Sequence, residues 1–347
     1  MNTCILLLAS ILPGAEPPPR PEASRVSLDG KPIPLADAVA QISQQANIPV
    51  AAEKALKDKS VQLKLDQVPF WEALDQLART ANHRLVVSSQ GRRIALACEP
   101  YQSRPTSLNG IYRFALREVS SRLDLESGSA HTSIVIDMAW EPKFKAYFVE
   151  LDPKSLSARD DQNRPLAIVD EGTSRMPVTE SGPDLTLKLR QVPRSAKAIA
   201  ELSGAVKFLG TAQSLRFDFD LSPKGERHQK RAEVSATLRP FAKNVRLWTF
   251  VVEMQYPKDM PEFESFQSFL LDNQAWLQGP DGRKFATRKF ELGFERQGKA
   301  PITYYVQEND KDGPVLTNPA DWKLVLRVPG RIIEEKVRFQ LRDIPLP

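Results

Sequence analysis

Little in this chain supports covalent chemistry. Its 347 residues include two cysteines and three histidines. His83, His131 and His228 fall in separate segments without H-x-x-x-H or H-x-x-E-H spacing, so a zinc site would need three distant loops to converge. G-x-S-x-G, the elbow that presents a hydrolase serine, is missing. So are G-x-x-x-x-G-K-[ST] and G-x-G-x-x-G, the backbone cradles for phosphates. The segment DDQNRP, with Asp160 and Asp161 and with Asp152 nearby, lacks the alternation and the glycine of a calcium loop and reads as a hairpin turn. Long apolar runs are missing too. CILLLASIL, residues 4–12, falls well short of the roughly 20 residues that span a bilayer. No catalytic, cofactor-binding or metal-ligating residue is assigned on these grounds, and no cofactor. Acidic pairs among Glu141, Glu150, Asp170 and Glu171 leave a carboxylate-dependent hydrolase open, because sequence does not measure their separation.

The short apolar run exits through Pro13, Gly14 and Ala15, which suits a secretory signal over residues 1–15. No Lys or Arg precedes it, so a misplaced start or a hydrophobic N-terminal strand are the other readings. EPPPRPEAS follows as a Pro-rich spacer over residues 16–24 with nothing to build a core from. Export places the protein in the periplasm or outside the cell. Loss of the signal leaves Cys98 without a cysteine partner, and its place at the end of an apolar strand (Ile94, Leu96) predicts a small buried hydrophobe. The net charge of +5 is spread along the chain, with short clusters at Arg92-Arg93 and Lys230-Arg231. That is too diffuse for nucleic acid, and compatible with weak attraction to an anionic wall polymer or lipid surface.

Residues 25–100 read as one α+β module. In PLADAVAQISQQANIP, Leu35, Val39, Ile42 and Ala46 recur at helical spacing; in PFWEALDQLARTANH, Phe70, Leu74, Leu77 and Ala81 do the same. Between them VQLKLDQV alternates strictly, as a half-buried strand does, and RLVVSSQGRRIALA forms a hairpin turning at Ser89-Gln90-Gly91. His83, just past the second helix, is expected to cap it near the negative end of its dipole. The lead-in VSLDGKPIPLADAVAQISQQANIPV, the series KSVQLKLDQVPFWEALDQL and the closing hairpin resemble, over residues 26–96, the short N-terminal domain shared by secretins and TonB-dependent receptors. That resemblance implies a small docking domain of the bacterial envelope without catalytic residues. Neither a secretin pore domain nor a receptor barrel follows here.

Beyond residue 108 the helical signal fades into alternating strands such as SIVIDMAW, LTLKLRQV, SLRFDFDL and EKVRFQL. Asp281-Gly282 and DDQNRP are good hairpin closers. LSARDDQNRPLA parallels WLQGPDGRKFA, and LTLKLRQVPRSAKAIAELSG parallels LVLRVPGRIIEEKVRFQLRD; the insert GFERQGKAPITYYVQENDKDGP accounts for most of the difference in spacing. Two tandem immunoglobulin-like β-sandwiches are therefore expected over residues 105–222 and 230–347, with the charged stretch LSPKGERHQKRAE as linker or exposed hairpin loop. One large irregular sandwich is the other reading. Trp71, Trp140, Trp248, Trp276 and Trp322 sit in apolar patterns that predict core packing. Over residues 263–277, Phe263, Phe266, Phe269 and Leu270 fall at helical spacing, either as a helix plugging the last sandwich or as the lining of a groove bordered by Tyr304 and Tyr305.

The fold class expected is thus an α+β N-terminal module followed by an all-β body. The function expected is non-enzymatic docking of an envelope protein or cell-wall polymer, without nucleic acid and without spanning a membrane. A carbohydrate-binding module using exposed tryptophans, or a hydrolase on the sandwich loops, is the alternative.

Overall fold

The structure is a computed structural model and describes residues 20–347 apart from 57–58, 180–183, 223–224, 261–271, 288, 294–298 and 309–312. Its N-terminal part is built as β1 (Arg25–Pro34), α1 (Leu35–Ala46), β2 (Ala51–Ala52), β3 (Ser60–Pro69), α2 (Phe70–Ala81), β4 (Arg84–Ser88) and β5 (Arg93–Ala97). Pro34 and Pro69 precede the helices in extended conformation, where a proline needs no amide donor. Asn47 and Asn82 end them in the left-handed region at φ 54°, which an asparagine adopts more readily than most residues. Arg25 and Ser60, Leu35 and Phe70, and Asn47 and Asn82 all stand 35 residues apart, so strand, helix and cap occur twice. β1 pairs with β3, and β5 lies between β2 and β4 in a second small sheet. The apolar helix faces close on one core with Val26, Val61, Leu85 and Leu96.

Two expectations change here. Asn82 rather than the His83 side chain shapes the end of α2; His83 contributes its backbone N–H, donated to Ala78 O at 2.9 Å. Cys98 is exposed, because the strand ends at Ala97 and the chain turns outward, its Cys98 N–H held by Glu53 at 2.9 Å.

The remaining chain is almost wholly β. Eight strands follow: β6 (Thr106–Asn109), β7 (Tyr112–Leu123), β8 (Ala130–Trp140), β9 (Lys145–Leu151), β10 (Ser157–Asp160), β11 (Ser174–Pro177), β12 (Leu185–Arg190) and β13 (Ala198–Thr211). They form one sheet in the order β12-β8-β7-β6 and another in the order β10-β13-β9-β11. Phe114, Ile134, Ile136, Leu187, Val206 and Phe208 belong to one apolar cluster between them. A second region holds β14 (Ser214–Asp220), β15 (Arg227–Arg231), β16 (Val234–Leu238), β17 (Ala242–Asn244), β18 (Leu247–Gln255), β19 (Gln274–Gln278), β20 (Lys284–Ala286), β21 (Lys289–Leu292), β22 (Lys299–Gln307) and β23 (Lys323–Pro329). Its sheets run β14-β23-β19-β20 and β15-β16-β18-β22-β21, with β17 on β18, around a separate cluster that includes Phe217, Phe250, Tyr304 and Leu326.

The chain then returns. β24 (Ile333–Pro345) leaves the second region and pairs with β13 from Ala198↔Pro345 to Gly210↔Ile333, placing Val337, Phe339 and Leu341 in the first cluster. The expected span 230–347 therefore does not hold together: its last strand completes the sheet of the first region, and the second region is inserted between β13 and β24. The physical reason is that β13 offers a whole free edge on that side, while its other edge is shared by β10 and β9. Gly330 N–H donates to Gln213 O at 2.8 Å, tying the outgoing and returning segments together. From the other sheet, Asn109 donates to Arg338 O at 2.9 Å and Ser107 Oγ accepts from Gln340 N–H at 3.0 Å, which covers the outer edge of β24.

Two further expectations are corrected, and a third falls outside the described residues. Arg227–Arg231, read as linker or loop, is a strand paired with β16, since Ala232 at φ 47° lets the chain turn tightly. The supposed insert contains β22, a central strand paired with β18 over nine residues from Leu247↔Gln307 to Gln255↔Lys299. Phe263, Phe266, Phe269 and Leu270 lie outside the described residues, while Trp276 belongs to a strand.

A Cβ on Gly210 would meet Lys145 O at 2.2 Å, where β13 crosses β9 before leaving for the second region. Gly210→Ala is expected to lower unfolding free energy by about 2 kcal/mol, measured by denaturant titration, because rigid backbone must move.

Candidate functional site

The N-terminal module sits on the outer face of β7 and β8. In β7, residues 112–116 are all buried, although side chains alternate between faces. Tyr112, Phe114 and Leu116 face the first core, so Arg113 and Ala115 point the other way, toward the module. Ala139, on the same outer face of β8, belongs to the module's core. Three contacts lock the seam. Trp71 Nε1 donates to Ile111 O at 2.8 Å. Glu141, wholly buried, accepts from Ser24 N–H at 3.1 Å and Ser24 Oγ at 2.7 Å, with Lys143 Nζ 3.0 Å from the same carboxylate. Gly91, at φ +90°, admits Trp140 O so closely that a Cβ would stand 2.6 Å from it.

A cleft of about 310 Å³ opens along this seam. One wall is β4, through the consecutive residues Arg84, Leu85, Val86 and Val87; the other carries Arg104, Arg113, Arg117 and Asp137. β4 is the terminal strand of its sheet, with no neighbour on its outer side among the described residues. Consecutive strand residues point to opposite faces, so four in a row line one cavity only where the strand presents its edge to it. The cleft shares Gln102, Arg104 and Arg117 with a wider groove of about 790 Å³ that runs toward Arg342 and Pro347.

The charges in the cleft are unevenly matched. Arg117 holds Asp184 through two contacts of 2.8 Å and Asp137 at 3.3 Å; Arg84 lies 2.6 Å from Glu99, and Arg104 3.8 Å from Asp137. Asp75 is held by Arg79 at 3.1 Å. Arg113 is 4% exposed and makes no hydrogen bond or ion pair among the described residues, its Nε buried and unbonded. Burial, reinforced by Arg104, pushes the Arg113 guanidinium down to about 10, against the pull of Asp75, Asp137 and Tyr101. Burial also raises Asp137 above the ordinary carboxylate range, against the pull of Arg117 and Arg104.

Another buried acid lies away from the cleft, beside Tyr112 on the inner side of the first β region. Glu335 takes an inward position on β24 opposite Phe208, and its Oε2, like the Tyr112 hydroxyl, has no hydrogen-bond partner among the described residues. Its other oxygen is 3.5 Å from exposed Arg20. Burial raises the Glu335 carboxyl above its usual range.

The acids weighed from sequence are engaged elsewhere. Glu141 locks the seam, Glu150 binds Arg175 and Lys207 at 2.9 Å each, Asp170 accepts from Gly172 N–H, and Glu171 pairs with Lys188. Asp160 organises its turn by accepting from Gln162 and Arg164 N–H and pairing with Arg164 Nε at 2.6 Å. Trp71, Trp140, Trp248 and Trp322 are buried; Trp276 is half-buried between Arg216 and Lys284, 5.8 and 5.5 Å from its ring centre. Tyr304 is buried and donates to Asn273 at 2.9 Å. Arg113 was not singled out from sequence, because in YRFAL an arginine between apolar residues reads as solvent-facing. Its signal is the company it keeps: Ala115 and Ala139, small residues on an outward face, mark close packing.

No protein-family model and no curated protein matches the chain. The crystal structure of bovine butyrophilin is similar to it at 8% identity and a TM-score of 0.17, over 62% of this chain and 91% of that one. A likeness that slight speaks for neither fold nor function. Among the described residues no helix is long and apolar enough to cross a membrane, and no cluster of three or more His, Cys, Asp or Glu side chains is placed to hold a metal ion.

Two outcomes follow from the buried acids. Glu141→Ala strands the Ser24 donors and is expected to cost about 3 kcal/mol in denaturant unfolding, with faster hydrogen exchange at Ser24. Glu335 has a raised folded-state pKa, so its contribution is fully favourable below the unfolded carboxylate value and is lost as pH rises through the folded one. Glu335→Gln is therefore expected to melt higher than wild type at pH 7, with the difference closing near pH 4 in paired thermal melts.

Proposed function

We propose that this protein is a non-catalytic component of the bacterial envelope that docks another envelope protein or a wall polymer. Its N-terminal module is the docking element, related to the short domain of secretins and TonB-dependent receptors. The two β regions, read as immunoglobulin-like sandwiches, are the body that carries it, and the apolar run at residues 4–12 directs it to the periplasm or beyond. Support comes from the motif series in residues 26–96, from two pairs of sheets each facing one apolar cluster, and from acidic side chains tied into turns and ion pairs. The observation that carries the reading is the open edge of β4, facing a cleft instead of solvent or a neighbouring strand. Strand edges accept partner strands through main-chain hydrogen bonds, without any catalytic group.

A photo-crosslinking amino acid placed in the full chain at Val86, on that edge, is expected to give a discrete adduct in cells. The same group at Val245, which is 85% exposed on the second region, is expected to give none. Equal labelling from both positions, or none from Val86, rejects the module as the docking element.

A further inference from the structure

We infer that the seam cleft binds an extended peptide segment bearing a carboxylate, with Arg113 receiving the carboxylate and β4 pairing with the peptide backbone. The inference rests on the docking reading and adds the chemistry of the partner. Two independent features converge on one cavity. The first is Arg113, a guanidinium nine-tenths buried on the covered face of β7, without a hydrogen bond or ion pair among the described residues. A charge taken out of water is strongly disfavoured unless an opposite charge meets it. Asp75 and Asp137 attract it from a distance, and neither forms an ion pair or hydrogen bond with it: Asp137 is contacted by Arg117 at 3.3 Å and Arg104 at 3.8 Å, and Asp75 by Arg79 at 3.1 Å. A planar five-donor fork facing a cavity matches a carboxylate, which accepts two parallel N–H bonds.

The second feature is the run Arg84, Leu85, Val86 and Val87 along the cleft, which brings a row of main-chain donors and acceptors to the same space. A peptide laid against it places alternate side chains toward the sheet faces and between the walls, so an acidic side chain can enter beside Arg113. The continuation of the cleft into the wider groove through Gln102, Arg104 and Arg117 gives a longer segment room to leave.

The test uses purified full-length protein and two fluorescent peptides, capped at both ends, of alternating threonine and valine. One carries a central aspartate and the other an asparagine there. Fluorescence anisotropy is expected to show the aspartate peptide binding about tenfold or more tightly than its partner. Arg113→Met, which keeps the side-chain length, is expected to bring the aspartate peptide down to the asparagine level while melting no lower than wild type. Val87→Pro removes one main-chain donor from the open edge of β4, since the Val86 N–H faces β5, and is expected to weaken both peptides. Equal binding of the two peptides to wild type, binding of neither, or discrimination that survives Arg113→Met overturns the inference. Dimerisation on ultracentrifugation that Arg113→Met abolishes, without peptide binding, gives the cleft to a second copy of this chain and also overturns it. The peptide pair needs no cellular partner, so its failure is distinct from failure of the crosslinking experiment.

Discussion

The pairing of β13 with β24 is the constraint on which the β body depends. Twelve residue pairs run from Ala198↔Pro345 to Gly210↔Ile333, and everything between Thr211 and Ile333 is the second region. The first core therefore takes apolar side chains from both ends of a long excursion, Phe208 from one side and Phe339 from the other. Loop closure over such a separation is entropically unfavourable, and it grows only slowly with length, so a folded insert with its ends held together offsets much of it. The Gly330–Gln213 hydrogen bond at the crossing does that holding.

The seam between module and β body follows from the same economy of faces. A sheet with one face on its own core has an outer face to spare, and β7 and β8 spend theirs on the module: Ala115 and Ala139 allow close approach, Glu141 and Trp71 anchor it. Arg113 departs from that logic, since an apolar residue there would pack at lower cost. A local rule broken in the middle of an otherwise consistent interface is where function is most often found.

Much of the module was legible because its signals are local. Helical spacing at Leu35, Val39 and Ile42 and at Phe70, Leu74 and Leu77, strict alternation in VQLKLDQV, and the turn at Gly91 each speak for a few neighbouring residues, and the elements fall where these patterns place them. Strands of the body were legible for the same reason. Their partners were not: nothing in EKVRFQL distinguishes a strand that closes the second region from one that returns to the first. Charged stretches misled where pairing outweighed polarity. RHQKR forms a strand despite its composition because β16 offers a ladder. The cleft was illegible for a related reason: alternation shows that Arg113 faces away from Phe114, and not whether water or another domain lies on that side.

The late arrival of β24 shapes how the molecule comes into being. During synthesis the edge of β13 emerges long before the strand that covers it, and the ribosome must add the entire second region first. Throughout that interval a long apolar strand stands open to wrong partners, including β13 of a neighbouring nascent chain. The insert is thus also a delay, and the fidelity of the finished protein rests on how well the cell shelters one strand while it waits.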